Sequence, residues 1–525
     1  MTPTRLRYLM GPVAALLATA SLMAAAPAFA AAPARSAVAW QSVSSDAEVD
    51  RAFALARTQG KPVFLYWGAV WCPPCNQVKA TLFNRADFIE RSKAFVPVYV
   101  DGDKPGAQKV ASRFKVSGYP TMILFKPDGT EVTRLPGEVD PERYLLTLTA
   151  GLDAQVPVRD LLQRATGGQP LTPEQWRLLA YYAWDTDQQQ VLPAAELPAT
   201  LAKLAAAVPA DLAPLRDRLA LKGLAAAARA GSKPAAGVVE AGRALVDRIL
   251  GDAQAARGLS DLLMGHADVI TKTLAEGNAR RQLAARWDAA LVRLMEDPAL
   301  TRPERVDVLY ARVALWKLAS DPQPIDKPRQ EALKQEVTRL VAATTDRYER
   351  QAVVPSAAYV LAQAGLLDES DAMLKAELGR AVAPYYHMLG LAGNAKRRQD
   401  TKGALDWYEQ AWRKSEGPAT RIQWGGSYLG QVLELAPNDV KRVQAGATAL
   451  IAQLDPKAET FYERNQRSLQ RLAKRLATWQ EEDPAARAKV VSQLKAQLDK
   501  TCRKLPAKDA GRANCEKVFE SGAAS

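Results

Sequence analysis

The sequence predicts an α/β domain, with a central mixed sheet flanked by helices, followed by a large all-α, solenoid-like domain. Three observations lead there. Between residues 37 and 150, short apolar runs bounded by Gly and Pro alternate with helical stretches. After Gly151 the strand signals stop, and the rest of the chain is rich in Ala, Leu, Arg and Gln at helical spacing. The chain is 525 residues long and 48% hydrophobic, too long for one compact core, so two or more domains are expected.

Residues 1–30 read as a targeting segment. Arg5 and Arg7 precede an apolar stretch from Tyr8 to Ala26, and Ala28-Phe29-Ala30 has the small-x-small pattern of a signal-peptidase site. An exported chain, its signal peptide cleaved near Ala30, is expected. Pro12 and Pro27 interrupt the segment and weigh against the rival reading, an uncleaved membrane anchor.

The α/β domain is predicted over 37–150. Its first strand is Val38 to Val43, followed by a helix from Asp46 to Gln59 that Gly60 stops. Val63 to Trp67 is a continuous apolar run, as suits a strand buried on both faces. A helix from Pro74 to Phe83 follows, with Pro74 in the first turn, where its missing N–H costs nothing. Val96 to Val100 is the third strand and Pro105 to Phe114 the next helix. Thr121 to Phe125 and Glu131 to Leu135 form a hairpin around Lys126-Pro127-Asp128-Gly129, and a helix from Pro141 to Ala150 closes the domain.

Residues 151–157 are read as a linker and 158–525 as the helical domain. Thr172-Pro173-Glu174-Gln175 is a helix start with a capping-box Gln. The Ala/Pro-rich stretch from Leu192 to Pro214 reads as short helices joined by Pro turns. Asp368-Glu369-Ser370-Asp371-Ala372 recurs as Asp400-Thr401-Lys402-Gly403-Ala404, an offset close to a tetratricopeptide unit. Ala392, Ala404, Tyr408 and Ala411 stand at spacings that resemble the small and aromatic positions of that family's paired helices.

The chemistry lies in Trp71-Cys72-Pro73-Pro74-Cys75. A Cys-x-x-Cys at a strand-to-helix junction brings two sulfurs within bridging distance, and the helix N-terminus stabilises a thiolate on the first. The Cys72 sulfur is expected to be exposed and partly ionised. Both intervening residues lack an N–H, so the thiolate must draw its donors from Cys75 onward. A less stabilised thiolate means a more reducing couple. Cys502 and Cys515 lack the strand-to-helix setting and are read as a structural disulfide, a second redox relay being the alternative.

Other constellations carry no chemistry. The two histidines, His266 and His387, have no metal-ligand spacing to the cysteines, so no metal is expected. In Asp101-Gly102-Asp103-Lys104-Pro105-Gly106, Pro105 replaces a calcium ligand and Ser112 the terminal Glu. Arg464, Arg467, Arg471 and Arg475 form one helical stripe, read as a solvated face, with an anionic partner surface as the alternative. The clusters Trp176/Tyr181/Tyr182/Trp184 and Trp407/Tyr408/Trp412 read as helix-packing core. The formal net charge of +13 is dispersed, and the one visible cluster, Lys396-Arg397-Arg398, reads as a solvated helix end, so no nucleic-acid partner is expected.

The order of elements, the Trp71–Cys75 motif, Ser117-Gly118-Tyr119-Pro120-Thr121 and Gly137 after the last strand together resemble the thioredoxin superfamily over about a fifth of the chain. Within it the domain is most similar to the C-terminal domain of DsbD-type thiol:disulfide interchange proteins. The resemblance implies that Cys72 attacks, Cys75 resolves, and Pro120 is cis beside the sulfurs, with Trp71, Tyr119 and Pro120 meeting a substrate that adds as an extended strand. It implies no cofactor beyond the Cys72–Cys75 disulfide. Where the superfamily has a buried Asp six residues before the first cysteine, this chain has Tyr66, and Val70 stands where a carboxylate is common, so no proton acceptor for Cys75 is assigned. The expectation is a periplasmic thiol-disulfide oxidoreductase that reduces or interchanges disulfides of exported proteins. A membrane thiol-electron donor would re-reduce it, and a protein partner would sit on the helical domain. A helical-repeat scaffold with a thioredoxin-like docking module, or a disulfide oxidase or isomerase, are the alternatives.

Overall fold

The structure, a computed structural model, describes residues 37–135, 140–231, 236–320 and 323–520. The expected signal peptide and Gly137 lie outside the described residues. Five strands, β1 (Gln41–Val43), β2 (Val63–Gly68), β3 (Val96–Asp101), β4 (Thr121–Phe125) and β5 (Glu131–Leu135), form one mixed sheet in the order β1-β3-β2-β4-β5. β3 pairs parallel with both β1 and β2, whereas β4 runs antiparallel to β2 and to β5. The continuous apolar run of β2 is explained by its central place: Val63, Leu65 and Trp67 enter the core on one face, and Phe64 and Tyr66 enter the core on the other.

Helices α1 (Asp46–Gln59), α2 (Pro73–Val78), α3 (Ala86–Arg91), α4 (Ala107–Arg113) and α5 (Pro141–Ala154) cover the sheet. Ser45 and Glu48 cap α1 reciprocally, and Gly60, in the left-handed conformation, ends it. The first strand is shorter than the apolar pattern suggested. Trp40 leaves it to pack against Phe64, Tyr66 and Phe83. The expected helix to Phe83 stops being α at Val78 and continues as a wider π-type turn over Lys79–Phe83, which buries both Leu82 and Phe83.

Beyond Pro157 the described residues form helices and the turns between them, with no strand among them. Thr172 and Gln175 form the capping box that their spacing suggested. Helices Pro384–Arg397 and Thr401–Lys414 pack as a pair, with Ala392, Ala404 and Ala411 fully buried between neighbours. Trp176, Tyr181, Tyr182 and Trp184 are core, as is Trp412. Lys396 and Arg398 end their helix in ion pairs with Glu434 and with Asp368 and Asp371.

The helical array comes back to the sheet. The Phe64/Tyr66 face, α2 and α5 share one hydrophobic core with helices 384–397, 418–435, 440–452, 463–482 and 484–502, a core that reaches Cys502 and Cys515 at its far side. Those two cysteines are bonded, tying helix Pro484–Cys502 to helix Ala510–Glu516. No helix of the described residues is long and apolar enough to cross a membrane.

Candidate redox site

Cys72 is the N-cap of α2, and its Sγ accepts the Cys75 backbone N–H at 3.1 Å. Pro73 and Pro74 fill the first two helical positions and supply no donor, leaving Cys75 as the first residue able to do so. Cys72 and Cys75 form a disulfide with Cα atoms 5.2 Å apart. The Tyr119–Pro120 peptide bond is cis.

The sulfur is not exposed. Cys72 is 2% and Cys75 0% accessible. The helical domain, whose packing the local pattern does not encode, closes over the turn. Trp71, 8% accessible, stacks on Tyr386 with centroids 5.8 Å apart and meets Trp424 at 4.8 Å and Tyr119 edge-on at 5.7 Å. Its carbonyl accepts from Gln351 Nε2 at 3.2 Å, and the same Gln351 side chain accepts the Ala383 N–H. The Trp71 indole N–H donates to Asp103 Oδ2 at 3.0 Å. The other Asp103 oxygen accepts from the Thr420 backbone N–H at 2.9 Å and the Thr420 hydroxyl at 2.5 Å.

The loop before Pro120 is also engaged. Arg464 Nη1 donates to Ser117 O at 3.1 Å, its Nη2 to Gln423, and its guanidinium lies 4.5 Å from the Tyr119 ring centroid. The Gly118 carbonyl accepts the Thr121 hydroxyl at 3.0 Å. Gln108 on α4 bridges the two parts, donating to the Tyr119 hydroxyl and accepting from the Arg464 backbone N–H. Arg464 is therefore not on a solvated face, as the stripe suggested. It is inserted between Tyr119 and helix 418–435, and burial lowers its pKa.

Burial dominates the electrostatics. It lifts the Asp103 carboxyl to about 6, against the pull of the Thr420 and Trp71 hydrogen bonds. It also pushes the Tyr66 phenol well above its usual range, with Tyr99 and Asp101 adding to the effect. Tyr66 stacks on Tyr99, and its hydroxyl has no hydrogen-bond partner, so the group at the superfamily's acidic position is a neutral phenol. The two histidines stand elsewhere. His266 lies beside Arg229, and His387 is buried with Nδ1 near the Ala383 carbonyl.

Sequence reasoning missed Asp103, Gln351, Tyr386, Thr420 and Trp424, and misplaced Arg464. Only Arg464 and Asp103 had stood out in the sequence, each within a pattern that pointed elsewhere.

This fold and this cysteine turn define a thioredoxin-superfamily domain, and residues 49–151 match the family model described as a thioredoxin-like domain. The domain is similar to the thiol:disulfide interchange protein DsbD of Pseudomonas fluorescens, 34% identical over 121 residues, covering 22% of this chain and 21% of that protein. Thiol:disulfide interchange protein DsbD 2 of Pseudomonas aeruginosa is 32% identical over 111 residues, covering 20% of this chain and 19% of that protein. The match thus spans about a fifth of the length of these relatives. Oxidized thioredoxin O2 of Arabidopsis thaliana is a further match, 23% identical, covering 22% of this chain and 94% of that one, at a TM-score of 0.18.

Proposed function

We propose that the protein is a periplasmic thiol-disulfide oxidoreductase that reduces or interchanges disulfides of exported proteins. The observation that carries this reading is the Cys72–Cys75 disulfide at the start of α2, with the Cys75 N–H aimed at Cys72 Sγ. In the reduced enzyme the Cys72 thiolate attacks one sulfur of a substrate disulfide, that bond breaks, and the departing thiolate takes a proton. Cys75, deprotonated, then attacks Cys72 Sγ and releases the second substrate thiol. Two electrons pass to the substrate, and the enzyme is left as the disulfide. A membrane thiol-electron donor restores the dithiol. The similarity to DsbD proteins supports this place in the electron flow.

Because only one N–H faces the Cys72 sulfur from the first helical turn, the couple should be reducing. The reduced full chain is expected to reduce insulin, Cys72→Ser to abolish turnover, and Cys75→Ser to accumulate mixed disulfides. A potential near about −120 mV in a glutathione titration would reverse the assigned direction of electron flow. No turnover by the wild type would remove the redox reading.

The burial of Cys72 favours a second reading, a helical scaffold that uses the thioredoxin-like domain for docking. A scaffold would hold its partners equally well with both cysteines replaced by Ser.

A further inference from the structure

A cavity of about 920 Å³ lies between the cysteine turn and the helical domain, within the size range of ligand sites. Pro73, Pro74 and Gln77 form one wall, and helices 302–320, 347–363 and 384–397 form others. Most of the lining is carbon. The two prolines contribute to this directly, since neither has an N–H to present. Tyr386 belongs both to the cavity and to the site, because the ring that stacks on Trp71 also lines the void.

Two features of the lining point to an occupant. Tyr310 and Tyr359 stack on each other with centroids 5.8 Å apart, yet remain 43% and 48% accessible, an apolar surface larger than packing within the chain requires. Lys396 and Arg397 line the cavity against a single acidic lining residue, Asp307. Lys396 is held by Gln431 and Glu434, and Arg397 donates from Nη1 to Asn394 Oδ1 at 3.5 Å, its guanidinium lying 5.5 Å from the Tyr359 ring centroid. The lining thus favours an apolar body with a carboxylate.

We propose that this cavity docks an extended apolar peptide segment bearing an acidic group, the stretch of a disulfide-bearing client beside its reactive cysteine. The inference rests on the redox reading above. A client whose sulfur reaches Cys72 must lay flanking residues over the neighbours of Cys72. On the side of the cis-proline loop, the Ser117 and Gly118 carbonyls are already taken, and Trp71 is covered. On the other side the neighbours are Pro73 and Pro74, which open into the cavity.

The probe is the S-carboxymethylated B chain of insulin, an apolar chain with carboxylates and no free thiol or disulfide, titrated into the oxidised full-length protein by calorimetry. Saturable binding is expected, weakened tenfold or more by Tyr310→Ala/Tyr359→Ala and by Arg397→Glu, with unchanged helical circular dichroism. Wild-type affinity in both variants overturns the proposal, as does no binding by the wild type. A second copy of the chain as the occupant, seen as a dimer by sedimentation that Tyr310→Ala/Tyr359→Ala dissociates, also overturns it. The probe undergoes no exchange, so the two readings fail separately. A wild type that reduces insulin but does not bind the probe counts against the docking surface, and a wild type that binds the probe without turnover counts against the redox chemistry.

Discussion

Asp103 accepts hydrogen bonds from Trp71 and Thr420, and so pins the cysteine turn's tryptophan to a helix whose Thr420 lies 317 residues beyond Asp103. Its folded pKa, raised by burial to about 6, sets the sign of a pH effect. Below about pH 4 the carboxyl is protonated whether the chain is folded or not. Between pH 4 and 6 the folded state keeps a proton that the unfolded state has released. Stability therefore falls as pH rises through that window and levels off above it. Asp103→Asn abolishes this slope. Relative to the wild type, the variant should gain on the order of 2 kcal/mol between pH 4 and 6.5, read from denaturant midpoints. A relative loss over that range would contradict the assignment. In the sequence Asp103 was visible only as part of a failed calcium-loop pattern, because a lone carboxylate carries no local sign of the tryptophan it will meet.

Helix Glu463–Glu482 shows where periodicity misleads. Its arginines recur every three or four residues, which specifies a face but not what the face meets. Arg467 pairs with Glu463 one turn away. Arg464, at the start of the same stripe, enters the site because the helix begins against α4 and the Ser117–Tyr119 loop. Strand β2, by contrast, was legible as an apolar run, since burial on both faces leaves that signature within six residues. The cysteine turn was legible as well, because its chemistry is local to five residues. For the helix, removal of the guanidinium in Arg464→Ala uncovers the Tyr119 ring and the Ser117 carbonyl. Alkylation of Cys72 in the reduced protein, followed by mass spectrometry, is expected to quicken severalfold. An unchanged rate would place the barrier to the sulfur elsewhere.

At the scale of the whole molecule, one core joins the sheet to the C-terminal helices, and the contacts that close the site span 280 residues at Gln351, 317 at Thr420 and 347 at Arg464. Such pairings are beyond any window of sequence pattern, which explains why the position of the helical domain over the cysteine turn was not foreseen. The far end of this core is fastened by Cys502–Cys515, a bridge closing 13 residues. Removing it with Cys502→Ala/Cys515→Ala should cost about 3 kcal/mol. The loss should appear first as faster amide hydrogen exchange in Ala510–Glu516. From there it should spread through Asp509, which accepts from Tyr462 and pairs with Lys109 of α4, toward the sheet. Protection unchanged across both segments would show that the bridge restrains nothing beyond its own loop.

The place of Trp71 has an optical consequence. Its indole is bonded to a titrating carboxylate and stacked on Tyr386, a ring that lines the cavity, and it adjoins the cysteine that is oxidised and reduced. Proton uptake, cavity occupancy and electron transfer therefore all bear on one indole, whose near-ultraviolet luminescence, taken as the difference between the wild type and Trp71→Phe because the chain has eleven tryptophans, reports each event without an attached dye.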